Sequence, residues 1–416
     1  MGSPAALCGS CFLLSIGFLM RLTYIDGFRG IFLVFMMIIH VNDILHTTFG
    51  KLNHHYFGWV EDAQGFVFLS GLVVGLVYGG RYINLGFEAM QAGIWSRIKT
   101  IYSHQLGLIL VFTFSALVFS SSSGYVPGIL GSYDRDPVVF PLLSALMVTG
   151  STHMGILPMY IFFMIMTPYA LRLLIQRQYT IYIVIVVASW AFAQTRLPDA
   201  LVLGAENFFS KDGHAVNLGI FFNILGWQAL FFGGLFIGFL MASKRLDIEF
   251  LKTSEMRSVF LICLCLMFFF GIYDRIVFDA WIGDEFSDLI KSESDRGNFS
   301  TIYLVTFLVD LVVVVWMLGP GVSDRNNFIA WASRALGSVV AFRPLVFLGQ
   351  HSLHVFSTHI LITYVLAALF QSGPPSEPLG ILIIIASLGT LYCVACLHSA
   401  YLSHKKYMRA MKSSRS

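Results

Sequence analysis

Apolar runs of about 20 residues follow one another along almost the whole chain, parted by short polar stretches. A helix needs about 20 mostly apolar residues to cross the hydrocarbon core of a bilayer. Ten stretches meet that need: 28–46, 64–81, 100–120, 154–175, 178–195, 218–242, 256–274, 301–319, 343–370 and 379–402. The ninth is long and polar for a span, which predicts a break or an interfacial start. The stretch from Asp136 to Gly150 is apolar but short, and reads as a re-entrant or interfacial piece. The expected fold class is all-α: a polytopic bundle of about ten transmembrane helices.

Residues 1–20 are apolar, yet too short and too lightly charged for a signal peptide. Met20-Arg21 stands just ahead of the first span. We therefore expect an N-terminal extension over 1–20, a single membrane domain over 21–404 and a basic tail over 405–416.

Composition strengthens the membrane reading. Of 416 residues, 57% are hydrophobic and 12% charged, against roughly 25% charged in soluble proteins. The net charge of +3 is small, and the basic residues are scattered among short loops, so no nucleic acid is expected as a partner. Cys393-Val-Ala-Cys396 has redox-motif spacing but lies inside a span, where two small helix residues are the simpler reading. Placing the segment before the first span in the cytoplasm puts 19 of the 26 basic residues on that side. Lys51, Arg135, Arg196, Lys211, Arg275, Lys291 and Arg296 fall on the other. That asymmetry predicts both termini in the cytoplasm. The sequence has no P-loop, no G-x-S-x-G and no H-E-x-x-H, which disfavours nucleotide hydrolysis, elbow-type serine hydrolases and zincins.

The chemistry concentrates in span one. Asp26-Gly27-Phe28-Arg29-Gly30 is followed by nine apolar residues and then His40-Val41-Asn42-Asp43. Charges inside a span are costly and mark function by default. Eleven residues turn a helix through about 1,100°, so Arg29 and His40 share a face, about 16 Å apart along the axis. Asp26 and Asp43 lie three residues beyond each and can touch them. Arg29 offers a planar fork for a phosphate or carboxylate. His40 can take a proton from a hydroxyl, with Asp43 behind it as the acid of a triad.

Elsewhere the signals are weaker. His351, His354 and His359 on span nine suit polar packing or hydrogen bonding to a substrate, and without acidic or cysteine partners no metal is expected. Arg97, Lys99 and Tyr102 read either as positive-inside anchoring or as a clamp for an anionic donor. Asp62, Gln64 and Ser70 form a polar entrance at span two that suits a polar acceptor. Gly65, Gly71, Gly75 and Gly79, spaced near four apart, suit close helix packing.

These residues carry a resemblance. Asp26 to Gly30, Phe66-Val67-Phe68-Leu69-Ser70-Gly71, Gly75 to Gly79, Leu157 to Tyr160, Gly226 to Phe231 and Leu348 to Leu353 occur in order. Together they resemble the OpgC family, which is linked to succinylation of osmoregulated periplasmic glucans. Arg29 and His40 also stand in the Arg-x10-His relation of the wider acyltransferase-3 membrane superfamily. The resemblance implies a bacterial inner-membrane acyltransferase. Its donor would be acyl-CoA, most plainly succinyl-CoA, with no permanently bound cofactor, and its acceptor a periplasmic glucan. It implies that Arg29 and His40 are the essential pair. Arg97 and Lys99 then match the superfamily's basic patch, although lysine replaces the more usual arginine, and His359 is a further candidate. A transporter or flippase using the same charges as a proton relay is the competing class; no inverted repeat supports it.

Overall fold

The computed structural model describes residues 9–51, 57–123, 130–195, 197–209, 218, 221–278, 281 and 283–413, with side chains from Thr23 onward except at 51, 123, 152, 208, 209, 278, 293, 412 and 413. The all-helical expectation holds: the fold is 84% helix and has no strands among the described residues. The helices are α1 (Gly9–Leu45), α2 (Asp62–Leu85), α3 (Phe87–Ser123), α4 (Gly131–Arg135), α5 (Val139–Ala145) and α6 (Ile156–Ile175). They continue with α7 (Tyr179–Ala193), α8 (Leu197–Phe209), α9 (Ile224–Ala242), α10 (Ser254–Phe278) and α11 (Asp284–Glu293). The last five are α12 (Thr301–Leu318), α13 (Asn327–Val340), α14 (Arg343–Gln350), α15 (Ser352–Leu369) and α16 (Glu377–Ser413).

Among the described residues nine helices are long and apolar enough to cross a membrane, and up to eleven spans result if each of two bent pairs counts as one. The chain is a multi-pass membrane protein. Two expected spans prove to be composite. The fifth is α7 followed by α8, bent by 60°, and Pro198 in the first turn of α8 accounts for a break there. The ninth breaks at His351, so that only α15 is a span. Its first part, α14, pairs instead with α13 at a 50° bend, where Phe342 is extended and Pro344 opens the next helix. Over 136–150 the chain makes no span, only the short α5 and its flanking turns. Within the expected N-terminal extension, residues 1–8 lie outside the described residues, and 9–20 continue as α1. Cys8 and the basic residues Arg196, Lys211 and Arg415 also lie outside.

The helix order gives the bundle two distinct ends. Glu377, at the start of α16, accepts hydrogen bonds from Thr48, just past the end of α1. The opposite end of α16 carries exposed Lys405, Lys406 and Arg409. We call that the basic end; α1 begins there and runs away from it.

Close backbone approaches lock the frame. Gly71 and Gly75 of α2 face Gly234 and Gly238 of α9 reciprocally. A Cβ at any of the four would collide with a backbone carbonyl of the other helix. Small residues let the two backbones touch, and dispersion and Cα–H contacts replace the hydrophobic drive that lipid cannot supply. Gly234→Leu therefore places a side chain where no space exists, and overpacking costs about 1–3 kcal/mol even when atoms can shift. Here only backbone could shift. The expected outcome is protein that inserts but elutes as aggregate from a sizing column in mild detergent; a monodisperse variant with wild-type melting would count against the interlock.

Candidate functional site

α1 crosses α14 with the same intimacy. A Cβ at Gly30 would strike the Leu345 carbonyl, and one at Gly349 the Asp26 carbonyl. That crossing delivers the α14–α15 junction to the arginine. Arg29 Nη2 donates to Ser352 Oγ, Nη1 lies 3.8 Å from Asp26 Oδ1, and the guanidinium rests over the Phe66 ring at 5.7 Å. Asp26 is also bonded by Gln350. Arg29 Nε is buried without a partner.

Arg29 lines a narrow cavity of about 30 Å³ together with Ser70, Arg97, Tyr160, Ser352, Phe66 and Phe356. Two guanidiniums sharing one small apolar-walled space is a costly arrangement unless something anionic or strongly polar enters it. Lys99 does not join them. It is exposed, because two residues turn a helix by about 200° and put it on the face opposite Arg97. Tyr102 is occupied structurally: its hydroxyl donates to the Ala145 carbonyl at 3.1 Å and holds α5.

Further along α1, away from the basic end, His40 meets two other histidines. His40 Nδ1 is 2.7 Å from His359 Nε2, and the His153 ring stands edge-on to His40 with centroids 4.6 Å apart. The protons can be assigned for neutral rings. His359 Nδ1 lies 3.3 Å from the Phe356 carbonyl, which only accepts, so Nδ1 carries the proton and Nε2 the lone pair. His40 Nδ1 must then donate to His359, leaving His40 Nε2 as a free base. His359 thus holds the orienting place that the sequence suggests for Asp43. Asp43 is exposed on α1, and its charged neighbours are Arg296 and His46.

His153 precedes α6 in the turn Thr152–Met154. Tyr364, which donates to Ser151 Oγ, fixes that turn and also meets the His153 ring edge-on at 5.7 Å. Burial, assisted by the charge of Arg296, pushes the His153 pKa down, so its ring is neutral at pH 7. Its Nδ1 is buried without a partner. No spacing rule marks His153 in the sequence, since its partners are over 100 residues away on both sides.

The remaining candidates divide. Ser70 is buried on the cavity wall. Asp62 and Gln64 are buried in the first turn of α2, which starts at the end away from the basic residues. Gln64 is fully buried, and neither its Oε1 nor its Nε2 has a hydrogen-bond partner. An orphaned buried amide calls for an explanation, and a bound polar molecule is one. Gln64→Leu therefore separates two roles. Replacing an unsatisfied amide by an apolar group of similar size leaves melting unchanged or raises it, while a substrate-binding amide lost there lowers acceptor turnover about tenfold. Unchanged turnover would leave Gln64 without a part in binding.

His351 lies apart from both groups. Its Nδ1 is 2.9 Å from His398 Nδ1, His354 stacks on His398 at 3.6 Å, and His104 meets His354 edge-on at 4.7 Å. Among the described residues no three side chains of metal-binding type converge to hold an ion.

Neither the curated proteins nor the solved structures provide a match to the chain. A family model does match, that of the OpgC protein, over residues 21–403. That span takes in α1 from Arg21, the histidine centre, the Arg29 cavity and α16 as far as Ser403. The chain belongs to the OpgC protein family, and at the family level it is a glucan-modifying acyltransferase.

Proposed function

We propose that the chain moves a succinyl group from cytoplasmic succinyl-CoA to a hydroxyl of a periplasmic glucan, with His40 as general base. The observation that carries this reading is the free Nε2 of His40, which the His359–Phe356 chain turns into the acceptor of a proton. The basic end of the bundle is the cytoplasmic one in this reading, by the positive-inside excess, and both termini lie in the cytoplasm of a cell whose inner membrane holds the protein.

Acyl-CoA enters from the basic end. Its acyl group parts Phe66 from Phe356, which stack across the cavity with centroids 6.1 Å apart, and passes Arg29 and Arg97 toward His40. The glucan approaches from the opposite end, past Asp62 and Gln64. His40 Nε2 takes the hydroxyl proton as the oxygen attacks the thioester carbonyl carbon. The C–O bond forms and the C–S bond breaks. The thiolate leaves as coenzyme A after taking a proton. Arg29, about 16 Å from His40 along α1, binds an anionic group of the donor, and His359 stabilises the imidazolium formed on His40.

Reconstituted vesicles test the reading. Glucan is trapped on one side and labelled succinyl-CoA supplied on the other. Ester label on the trapped glucan supports it. Label carried equally well from acetyl-CoA would remove the succinyl assignment, and no label from either donor would remove transfer across the membrane.

A further inference from the structure

A second cleft, about twelve times larger than the Arg29 cavity at about 360 Å³, opens between α1, α14 and α16 toward the basic end. Arg343, Gln350, Tyr392, Thr23 and Phe347 line it. We propose that this cleft binds the head group of an anionic phospholipid, with Arg343 on the phosphate. It stands whether or not the chain transfers acyl groups.

Three observations bear on the occupant. First, Arg343 is exposed and has no ion-pair partner among the described residues, so a guanidinium with its full fork lines the cleft. Second, the cleft is shut off from the Arg29 cavity by a polar wall, in which Gln350 bonds Asp26, Asp26 pairs with Arg29, and Arg29 bonds Ser352. A ligand here does not reach His40, which argues against the acyl donor. Third, the rim is apolar and turned outward. Phe342 beside Arg343 is 58% exposed, and Tyr392 and Ile385, seven residues apart on one face of α16, are 42% and 57% exposed. A cation with hydrogen-bonding neighbours, continued by an apolar track along a span, is complementary to a phosphate carrying acyl chains. Basic pockets between helices on the cytoplasmic side take such lipids, and the volume suits a small polar head.

The test uses the full chain in mild detergent, with phosphatidylglycerol titrated and bound lipid counted by native mass spectrometry. Wild-type protein should hold one phosphatidylglycerol about fivefold more tightly than Arg343→Gln, and Arg343→Lys should keep most of that difference. Added salt should weaken binding to the wild-type chain, which reads the same contact without any substitution. Arg325→Gln, an exposed arginine outside the cleft, should change nothing. Equal affinity of wild type and Arg343→Gln, or equal affinity for phosphatidylcholine, would overturn the proposal. So would displacement of the lipid by coenzyme A, which would give the cleft to the donor.

Discussion

His40→Ala should lower glucan acylation by about a thousandfold while the protein still inserts and melts near the wild-type temperature. A positioned general base contributes about 10²–10⁴ to rate, and His40 is the histidine whose free nitrogen is set by its neighbours. Its Nδ1 is spent on His359, so Nε2 alone faces a substrate. His359→Ala should cost less, because it removes the group that fixes the tautomer but leaves the base. His359→Gln should recover part of the loss, since the amide oxygen of glutamine can still accept from His40 Nδ1. Asp43→Asn should fall near wild type, for the orienting place is filled by His359. Ester-linked succinate on isolated glucan, with and without each variant, reads all four. A His40→Ala protein that acylates normally would remove the base; an Asp43→Asn protein as inert as His40→Ala would restore Asp43 to the triad place.

That series also marks how far the sequence was readable. Periodicity and hydropathy disclose the helical class and most of the spans, because lipid forces every backbone group into a helix. The face shared by Arg29 and His40 is likewise legible, since a helix converts spacing into direction. What spacing cannot reach is contact between helices. His359 and His153 meet His40 from 319 and 113 positions away in number, and only packing joins them. The nearest acid in sequence, Asp43, looked like the natural partner because proximity along one helix is the only proximity that a sequence displays. A break in the ninth span is legible too, because that stretch is long and polar for a span, but its position at His351 is not. The chain turns at that point, where Gly349 lies flat against Asp26, a contact with no local signature.

Arg29→Ala should lower acylation by about 10–100-fold, the cost of losing one charged hydrogen bond to the donor, and it should also weaken the fold. Two effects are then mixed, because Asp26 loses its cation. Burial of an unpaired carboxylate is expensive, but the Asp26 side chain is 25% exposed and keeps its bond from Gln350, so the loss of stability is partial. The double variant Asp26→Asn with Arg29→Ala unmixes them. Asparagine needs no cation, so melting should return toward wild type. Activity should not return, because the cavity still lacks the guanidinium that bonds Ser352 beside Phe66. Arg29→Lys keeps the charge and loses the fork; one ammonium cannot hold Asp26, Ser352 and a substrate oxygen together, and a small fraction of wild-type turnover is expected. Arg97 supplies the internal comparison, since it lines the same cavity without touching Asp26 or Ser352 among the described contacts. Arg97→Gln and Arg29→Lys should both raise the KM for the donor more than they lower kcat, and of the two only Arg29→Lys should also lower melting. If the double variant regains both melting and acylation, Arg29 only ties α1 to the α14–α15 junction, and the donor must be held by Arg97.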